Sequence, residues 1–198
     1  SSQEELMAQK DELLSRQREL TEQREQLKAS EERSRLILES TADGIFGTDT
    51  DGRVRFVNPA ACQMLGFTQE ELLGQPSHAA FHHHRPDGSA YPRTECPMFA
   101  AYTHGKSSHV DNEFLWRKDG TGFPVEYGAR PVSKDGELIG SVVSFTDVTE
   151  RRRAEQRLRE TEQFFRSVLE LAPDGLMVVD EKGVNRLANV LREKLLGV

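Results

Sequence analysis

A gapless internal repeat constrains the fold of this chain more than any other feature. Residues 30–67 recur at residues 161–198 with a constant offset of 131 positions. The matched pairs include Asp43 with Asp174, Gly44 with Gly175, Gly52 with Gly183 and Asn58 with Asn189. Each copy also contains the end of a preceding helical segment. The repeat therefore predicts a tandem array whose unit is a helix followed by a domain.

The second copy stops at Val198, before the last three strands that the first copy is predicted to contain. A hairpin and one helix cannot bury a sheet face on their own. We therefore expect residues 172–198 to be a truncated start of a second domain. They should be poorly packed, or ordered only by an intermolecular contact.

The N-terminal segment is predicted to be one long coiled-coil helix over residues 1–39. Residues 3–39 contain no glycine or proline, and leucines recur every seven residues. These are Leu6, Leu13, Leu20 and Leu27, and the next apolar position in phase is Leu38 after an eleven-residue step. A heptad stripe predicts a parallel partner helix, and the eleven-residue step predicts a local unwinding of the supercoil.

A second seam is predicted on the helix over residues 150–171. Its apolar positions step by four and three residues and include Leu158, Phe165 and Val168. This spacing is again typical of a helix that pairs with a partner helix.

Between the two helices, the pattern predicts an α+β domain over residues 40–149. Two short strands flank Asp51-Gly52, short helices follow, and three longer strands are separated by Asp119-Gly120 and Asp135-Gly136. Such turns join antiparallel strands. We expect a five-stranded antiparallel sheet with short helices on one face, and an irregular segment over residues 75–97.

Several segments resemble PAS sensory domains. The front half of such a domain is represented by Ala42-Asp43-Gly44-Ile45, the run from Asp51 to Ala60, Leu65-Gly66-Phe67 and the run from Glu70 to Gly74. The hairpin of the back half is represented by the runs from Arg117 to Gly120 and from Phe123 to Glu126. Asp147-Val148-Thr149 resembles the motif that closes PAS domains and connects them to the next helix. The resemblance implies homodimers formed through flanking helices, and parent proteins such as sensor histidine kinases or diguanylate cyclases. It also implies that Asp147 and Thr149 relay the signal.

The resemblance further implies a pocket between the sheet and the helices. Our candidates for its lining are Phe46, Phe56, Met64, Phe99, Phe114, Trp116 and Tyr127. The sequence lacks the axial histidine of haem-binding members and the reactive cysteine segment of flavin-binding ones. The cofactor is not identified by the sequence, and we expect none to be bound.

Histidines and one cysteine concentrate between residues 78 and 109. Metal ligands must converge in space, and three consecutive histidines cannot all face one ion. We expect no metal site here, and a solvated loop that packs onto the domain instead. If a site existed, its ligands would be His82, His84 and Cys96.

Composition limits the classes of function. The net charge of −7 argues against a general nucleic-acid partner, and two cysteines without a disulfide pattern favour a reducing, cytoplasmic location. No apolar run is long enough to span a membrane. No phosphate-binding glycine loop or nucleophile motif is recognisable, so we expect no catalysis by this segment.

The sequence leaves three hypotheses open. The first is a dimeric sensory module that passes a conformational signal to a downstream output domain in the same chain. The second is a ligandless dimerisation scaffold, which an aromatic-filled pocket would favour. The third is a metal or redox sensor that uses the histidine-rich segment.

Overall fold

A computed structural model of the chain describes residues 2–171, 177–179, 181–182 and 185–188. The chain forms two compact units, Ser1–Asp147 and Val148–Val198.

The first unit begins with a long helix, α1 (Ser2–Ser40). Helix-favouring side chains without glycine or proline explain its length. Leu13, Leu20 and Leu27 are each more than half exposed. Within the described part of the chain, no helix combines the length and the apolar content needed to cross a membrane.

A five-stranded antiparallel sheet follows. Its strands are β1 (Gly44–Thr48), β2 (Val54–Val57), β3 (Ser108–Trp116), β4 (Gly122–Lys134) and β5 (Glu137–Asp147). Their order in the sheet is β2-β1-β5-β4-β3, which places β1 and β5 side by side. The predicted α+β class and five-stranded antiparallel sheet are confirmed.

Short helices lie between β2 and β3. They are α2 (Pro59–Leu65), α3 (Gln69–Leu72), α4 (Ser77–Phe81) and α5 (Pro97–His104), with a 3₁₀ turn at Arg93–Glu95. Asn58 caps α2, and Thr68 and Glu71 form a capping box on α3. The prediction that residues 75–97 are irregular throughout is wrong, because residues 77–81 are helical.

The core lies between the sheet and these helices. Alternate residues of β4 face it, since side chains on a strand alternate between the two faces. Those four are Phe123, Val125, Tyr127 and Ala129, all buried. The helices contribute Ala61, Leu65, Leu72, Phe81, Met98 and Ala101 to the same cluster. Burying a large apolar side chain stabilises a fold by about 1.5–3 kcal/mol, so this cluster holds the helices on the sheet.

The second unit contains α6 (Thr149–Leu171), β6 (Met177–Val179) and β7 (Asn185–Ala188). The two strands pair antiparallel, with Met177 opposite Ala188 and Val179 opposite Asn185. This is the register of β1 with β2 shifted by the repeat offset, including the same irregularity near the end. The rest of residues 172–198, to which the prediction of poor packing applies, lies outside the described residues.

Candidate functional site

A cavity of about 380 Å³ opens between β3 and the segment that joins α4 to α5. Its lining includes His82, Tyr91, Glu113 and Phe114. One wall is therefore a strand of the sheet, and the other is the histidine-rich segment. Within this segment His82 is only 1% exposed, so its side chain is packed into the domain.

The seven predicted pocket residues are not all at this cavity. Phe114 lines it. Phe46 is buried in the core, where its ring packs edge-on against Phe81 with centroids 5.1 Å apart. Tyr127 is also buried and reaches the cavity's edge through Glu113. The other four are half-buried and do not line the cavity: Phe56, Met64, Phe99 and Trp116.

Glu113 is the polar centre of the cavity wall. Its carboxylate accepts hydrogen bonds from the hydroxyl groups of Tyr91, at 2.7 Å, and Tyr127, at 3.0 Å. Its Oε2 lies 2.7 Å from Nε2 of His82. Burial raises the pKa of Glu113, but the nearby His82 outweighs this and leaves it below its usual value. Burial and the same carboxylate raise the pKa of both tyrosines, which keeps them hydrogen-bond donors.

The opposite ring nitrogen of His82 faces a thiol. Nδ1 of His82 lies 3.2 Å from Sγ of Cys96, which is 2% exposed. Burial alone would lower the pKa of His82, yet Cys96 and Glu113 together raise it to about 9. Burial would raise the pKa of Cys96, but the rings of His78 and His82 lower it to about 6. The pair therefore favours an imidazolium beside a thiolate.

His78 completes this cluster from one turn earlier. Nε2 of His78 lies 2.9 Å from the carbonyl oxygen of Tyr91. Its Nδ1 is buried and has no hydrogen-bond partner among the residues that the structure describes. One ligand atom from each of His78, His82 and Cys96 lies within 4.8 Å of the others. We call these three residues the His–His–Cys cluster.

His84, which the sequence grouped with His82 and Cys96, lies apart from this cluster. His84 is exposed, and its carbonyl oxygen accepts a 2.8 Å hydrogen bond from the indole N–H of Trp116. His83 stacks on the same indole ring. Sequence reasoning missed His78 and Glu113. The spacing of His78 and His82, four residues apart, was the available signal, because such residues share one face of a helix.

A separate polar network connects α1 to the end of β5. Asn58 donates from Nδ2 to the carbonyl oxygens of Leu38, at 3.1 Å, and Asp43, at 2.9 Å. Its Oδ1 accepts from the N–H groups of Ile45 and Ala61. The carboxylate of Asp43 accepts a 2.7 Å hydrogen bond from Thr146. We call Asn58, Asp43 and Thr146 the junction network.

The predicted relay pair lies where the sheet continues into the second unit. Asp147 is the last residue of β5, and its carboxylate accepts a 3.1 Å hydrogen bond from Arg117. Arg117 also donates to the carbonyl oxygen of Met64 at 2.9 Å. Thr149 is the first residue of α6.

The predicted seam residues are mostly exposed in the single chain. On α1, Leu13, Leu20 and Leu27 are 56–68% exposed, and Leu38 is half-buried. Leu6 lies in the same helix, but its side chain is outside the described set. On α6, Leu158, Phe165 and Val168 are 49–61% exposed. The sequence missed three further exposed apolar side chains, Leu36, Ile37 and Phe164.

Comparison with known proteins identifies the sheet and its helices. A family profile described as the PAS fold matches residues 32–148. The PAS domain of an HTR-like protein from Haloarcula marismortui has the same fold, with a TM-score of 0.51 at 19% identity. That alignment covers 64% of this chain and 98% of the other.

Two curated relatives come from Escherichia coli K12. The signal transduction histidine-protein kinase AtoS is 30% identical over 140 residues, which are 69% of this chain and 21% of that protein. The probable diguanylate cyclase DgcE is 32% identical over 129 residues, which are 65% of this chain and 11% of that protein. The chain therefore spans about a fifth and a tenth of these relatives.

Proposed function

The chain belongs to the PAS family, and from that membership we propose that it is a dimeric sensory module that relays a conformational signal from α1 to α6. The kinase and cyclase relatives support a sensory role in signal transduction. The relay itself rests on one observation, which is the junction network.

The input side of the proposed relay is Asn58. Its amide is 3% exposed and binds the last turn of α1 through Leu38, and β1 through Ile45. A buried amide with all four hydrogen-bonding positions occupied holds its partners in one geometry. A rotation or shift of α1 must therefore move β1 or break these bonds.

The output side is Thr146, the neighbour of Asp147. Asp43 lies between α1 and β1. Its hydrogen bond from Thr146 connects the start of the domain to the last residues of β5. Only Val148 separates β5 from α6. We propose that the network transmits displacement of α1 to the start of α6, where Asp147 and Thr149 are the relay pair.

The exposed seams supply the proposed dimer contacts. Isolated helices of this polarity gain little stability without a partner, and large exposed side chains at heptad spacing are the positions that a coiled coil buries. A parallel homodimer through α1 and α6 would cover them. Two packing states of such a weak coil need to differ by only a few kcal/mol to switch an output.

The output activity is proposed to belong to another domain of a longer parent protein. The matched relatives are five to nine times longer than the aligned segment. Their names include a kinase and a cyclase, and we propose an output of this kind, received through α6. We further propose that the module works in the cytoplasm and has no catalysis of its own.

The decisive experiment is a chimera in which residues 1–171 control the catalytic part of a sensor histidine kinase. Thr146→Val removes the hydroxyl that binds Asp43 but keeps the shape of the side chain. We expect signalling output to change by about 2- to 30-fold, since residues that carry coupling contribute about 0.5–2 kcal/mol. Autophosphorylation rates of the purified chimeras measure it.

The matched control is Thr121→Val, which removes a 2.6 Å hydrogen bond from a threonine to Asp119 in the β3–β4 turn. Both variants lose one exposed side-chain bond, so their melting temperatures should fall by similar small amounts. Equal output from the two variants at equal stability would contradict the relay. It would favour the ligandless scaffold, which the aromatic packing of Phe46 against Phe81 and Phe145 also suits.

A further inference from the structure

We infer that the His–His–Cys cluster is a binding site for a divalent transition metal ion, with zinc as the best match. Cys96 and the two Nδ1 atoms of His78 and His82 would be the ligands. This inference concerns what the module binds, and it does not depend on how the junction network transmits a signal.

The two imidazole rings are held in the way that metal-binding histidines are held. In metal sites, one ring nitrogen binds the ion while the other donates to a carboxylate or a backbone carbonyl. Nε2 of His82 lies 2.7 Å from the Glu113 carboxylate, and Nε2 of His78 lies 2.9 Å from the Tyr91 carbonyl oxygen. Both acceptors of a typical outer shell are therefore present beside the Nε2 atoms. The ion would bind Nδ1 of His78 and would take the place of the contact between Nδ1 of His82 and Cys96.

The outer shell is itself fixed in place. Glu113 also accepts hydrogen bonds from the hydroxyls of Tyr91 and Tyr127. The segment that contains Tyr91 thus supports both histidines, one through its carbonyl and the other through Glu113. Such support is what a metal site needs to hold its ligands within a few tenths of an ångström.

One ring nitrogen of the cluster is buried and unsatisfied. Nδ1 of His78 is buried, with no hydrogen-bond partner among the described residues. Leaving a buried polar atom unpaired costs free energy, and native structures rarely do so without a reason. A cation placed between His78, His82 and Cys96 would satisfy this atom and both of the others.

The distances between the ligand atoms are close to those of a zinc site. Zinc bonds of about 2.3 Å to sulfur and about 2.0–2.1 Å to nitrogen, at tetrahedral angles, separate the two ligand atoms by about 3.5 Å. Nδ1 of His82 and Sγ of Cys96 are 3.2 Å apart, so a small outward adjustment would suffice. One ligand atom from each of the three residues lies within 4.8 Å of the others, so the most distant pair would move closer by up to about 1 Å around the ion.

The donor set selects the class of ion. Two imidazoles and one thiolate suit zinc and similar borderline ions, and they exclude magnesium and calcium, which require oxygen ligands. Three protein ligands leave a fourth position for water or a small exogenous ligand. The cavity beside His82 and Glu113 offers space next to the cluster.

A competing site is provided by the adjacent pair His83 and His84. Their Nδ1 atoms approach each other closely, and both side chains are more accessible than that of His82. Surface histidine pairs bind metals adventitiously, so the experiment must separate the two sites. A matched control for Cys96 is Cys62, a second free cysteine, which is located on α2.

The test uses the full chain without an affinity tag, stripped with a chelator and then loaded with cobalt(II) or zinc(II). We expect one equivalent per chain and an intense near-ultraviolet band from thiolate-to-cobalt charge transfer. Cys62→Ser and the double variant His83→Ala, His84→Ala should keep the band and the affinity. Cys96→Ser should lose the band, and His78→Ala should bind zinc at least about 100-fold more weakly.

Glu113→Gln should weaken zinc binding by about 10- to 100-fold while leaving one equivalent bound, because it removes only the outer-shell charge. Zinc content below about a tenth of an equivalent after loading would overturn the proposal. So would loss of binding in the His83, His84 double variant. If Cys96→Ser fails to fold, the cobalt band of the wild type and of Cys62→Ser still decides whether Cys96 is a ligand.

These measurements need no signalling readout. A chimera that fails to respond to Thr146→Val and a chain that fails to bind zinc are therefore separate results. Either proposal can be rejected while the other stands.

Discussion

At the scale of single residues, Asn58 has two roles in one side chain. Its oxygen caps α2 and binds β1, while its nitrogen binds the carbonyl groups of Leu38 and Asp43. The two halves can be separated chemically, because an aspartate keeps the acceptor and loses both donors.

We predict that Asn58→Asp lowers the free energy of unfolding by about 2–3 kcal/mol. The α2 cap survives, but a carboxylate then faces two carbonyl oxygens in a buried position. Amide hydrogen exchange should become faster at the end of α1, around residues 36–40, than in α2. Chemical denaturation measures the first effect. Asn58→Leu removes the cap as well and should cost about 1 kcal/mol more. A cost near zero for Asn58→Asp would mean that the nitrogen contributes nothing, and an equal cost for both variants would mean that the cap contributes nothing.

For such residues, the sequence predicts the local contacts of the side chain but not its contacts with distant parts of the chain. Asn58 before Pro59 is a local capping pattern, so its oxygen was predictable, whereas its bonds to Leu38 and Asp43 depend on where α1 ends in space. Likewise, His82 and His84 look equivalent in sequence. They separate because His82 closes α4 and turns into the core, while His84 follows the chain outward to Trp116.

At the scale of elements, the contact between β1 and β5 is set by Gly140. This residue has a φ of 152°, and a Cβ atom there would lie 1.8 Å from the carbonyl oxygen of Thr48. The backbone of the two strands therefore fits together only with hydrogen at this position. The same pairing carries β5 onward to Asp147.

We predict that Gly140→Ala destabilises the domain by roughly 3 kcal/mol or more, because the strands must separate to admit the methyl group. The control is Gly136→Ala, which also has a positive φ but meets nothing within 4 Å. It should cost only about 1–2 kcal/mol, the strain of a left-handed backbone. Denaturant titration of the two variants measures the difference, and equal values would show that the close approach is unimportant.

The elements themselves were largely predictable. The Asp-Gly turns and the alternation in β4 are local signals, and they fixed the number and the direction of the strands. Helix α4 was missed because Pro76 and Pro86 suggested an irregular segment, yet Phe81 packs into the core and stabilises a helix of five residues. Tertiary packing overrode a weak local preference there.

At the scale of the whole molecule, the repeat predicts that each helix links successive domains. The paired strands β6 and β7 reproduce the register of β1 and β2. In chain order, α1 precedes the first hairpin, and α6 precedes the second hairpin in the same way.

Dimerisation through α1 can be tested by placing charges on its leucine stripe. Leu13→Lys with Leu27→Lys places two charges on the seam, whereas Ser15→Lys with Ala29→Lys adds two charges to exposed positions two residues further along the same helix. We expect the first pair to weaken dimerisation by about 10-fold or more, since each buried leucine contributes at least about 1.5 kcal/mol. The second pair should change it by less than about threefold. Sedimentation equilibrium over a range of micromolar concentrations measures both, and equal dissociation constants would rule out the leucine stripe as the dimer contact.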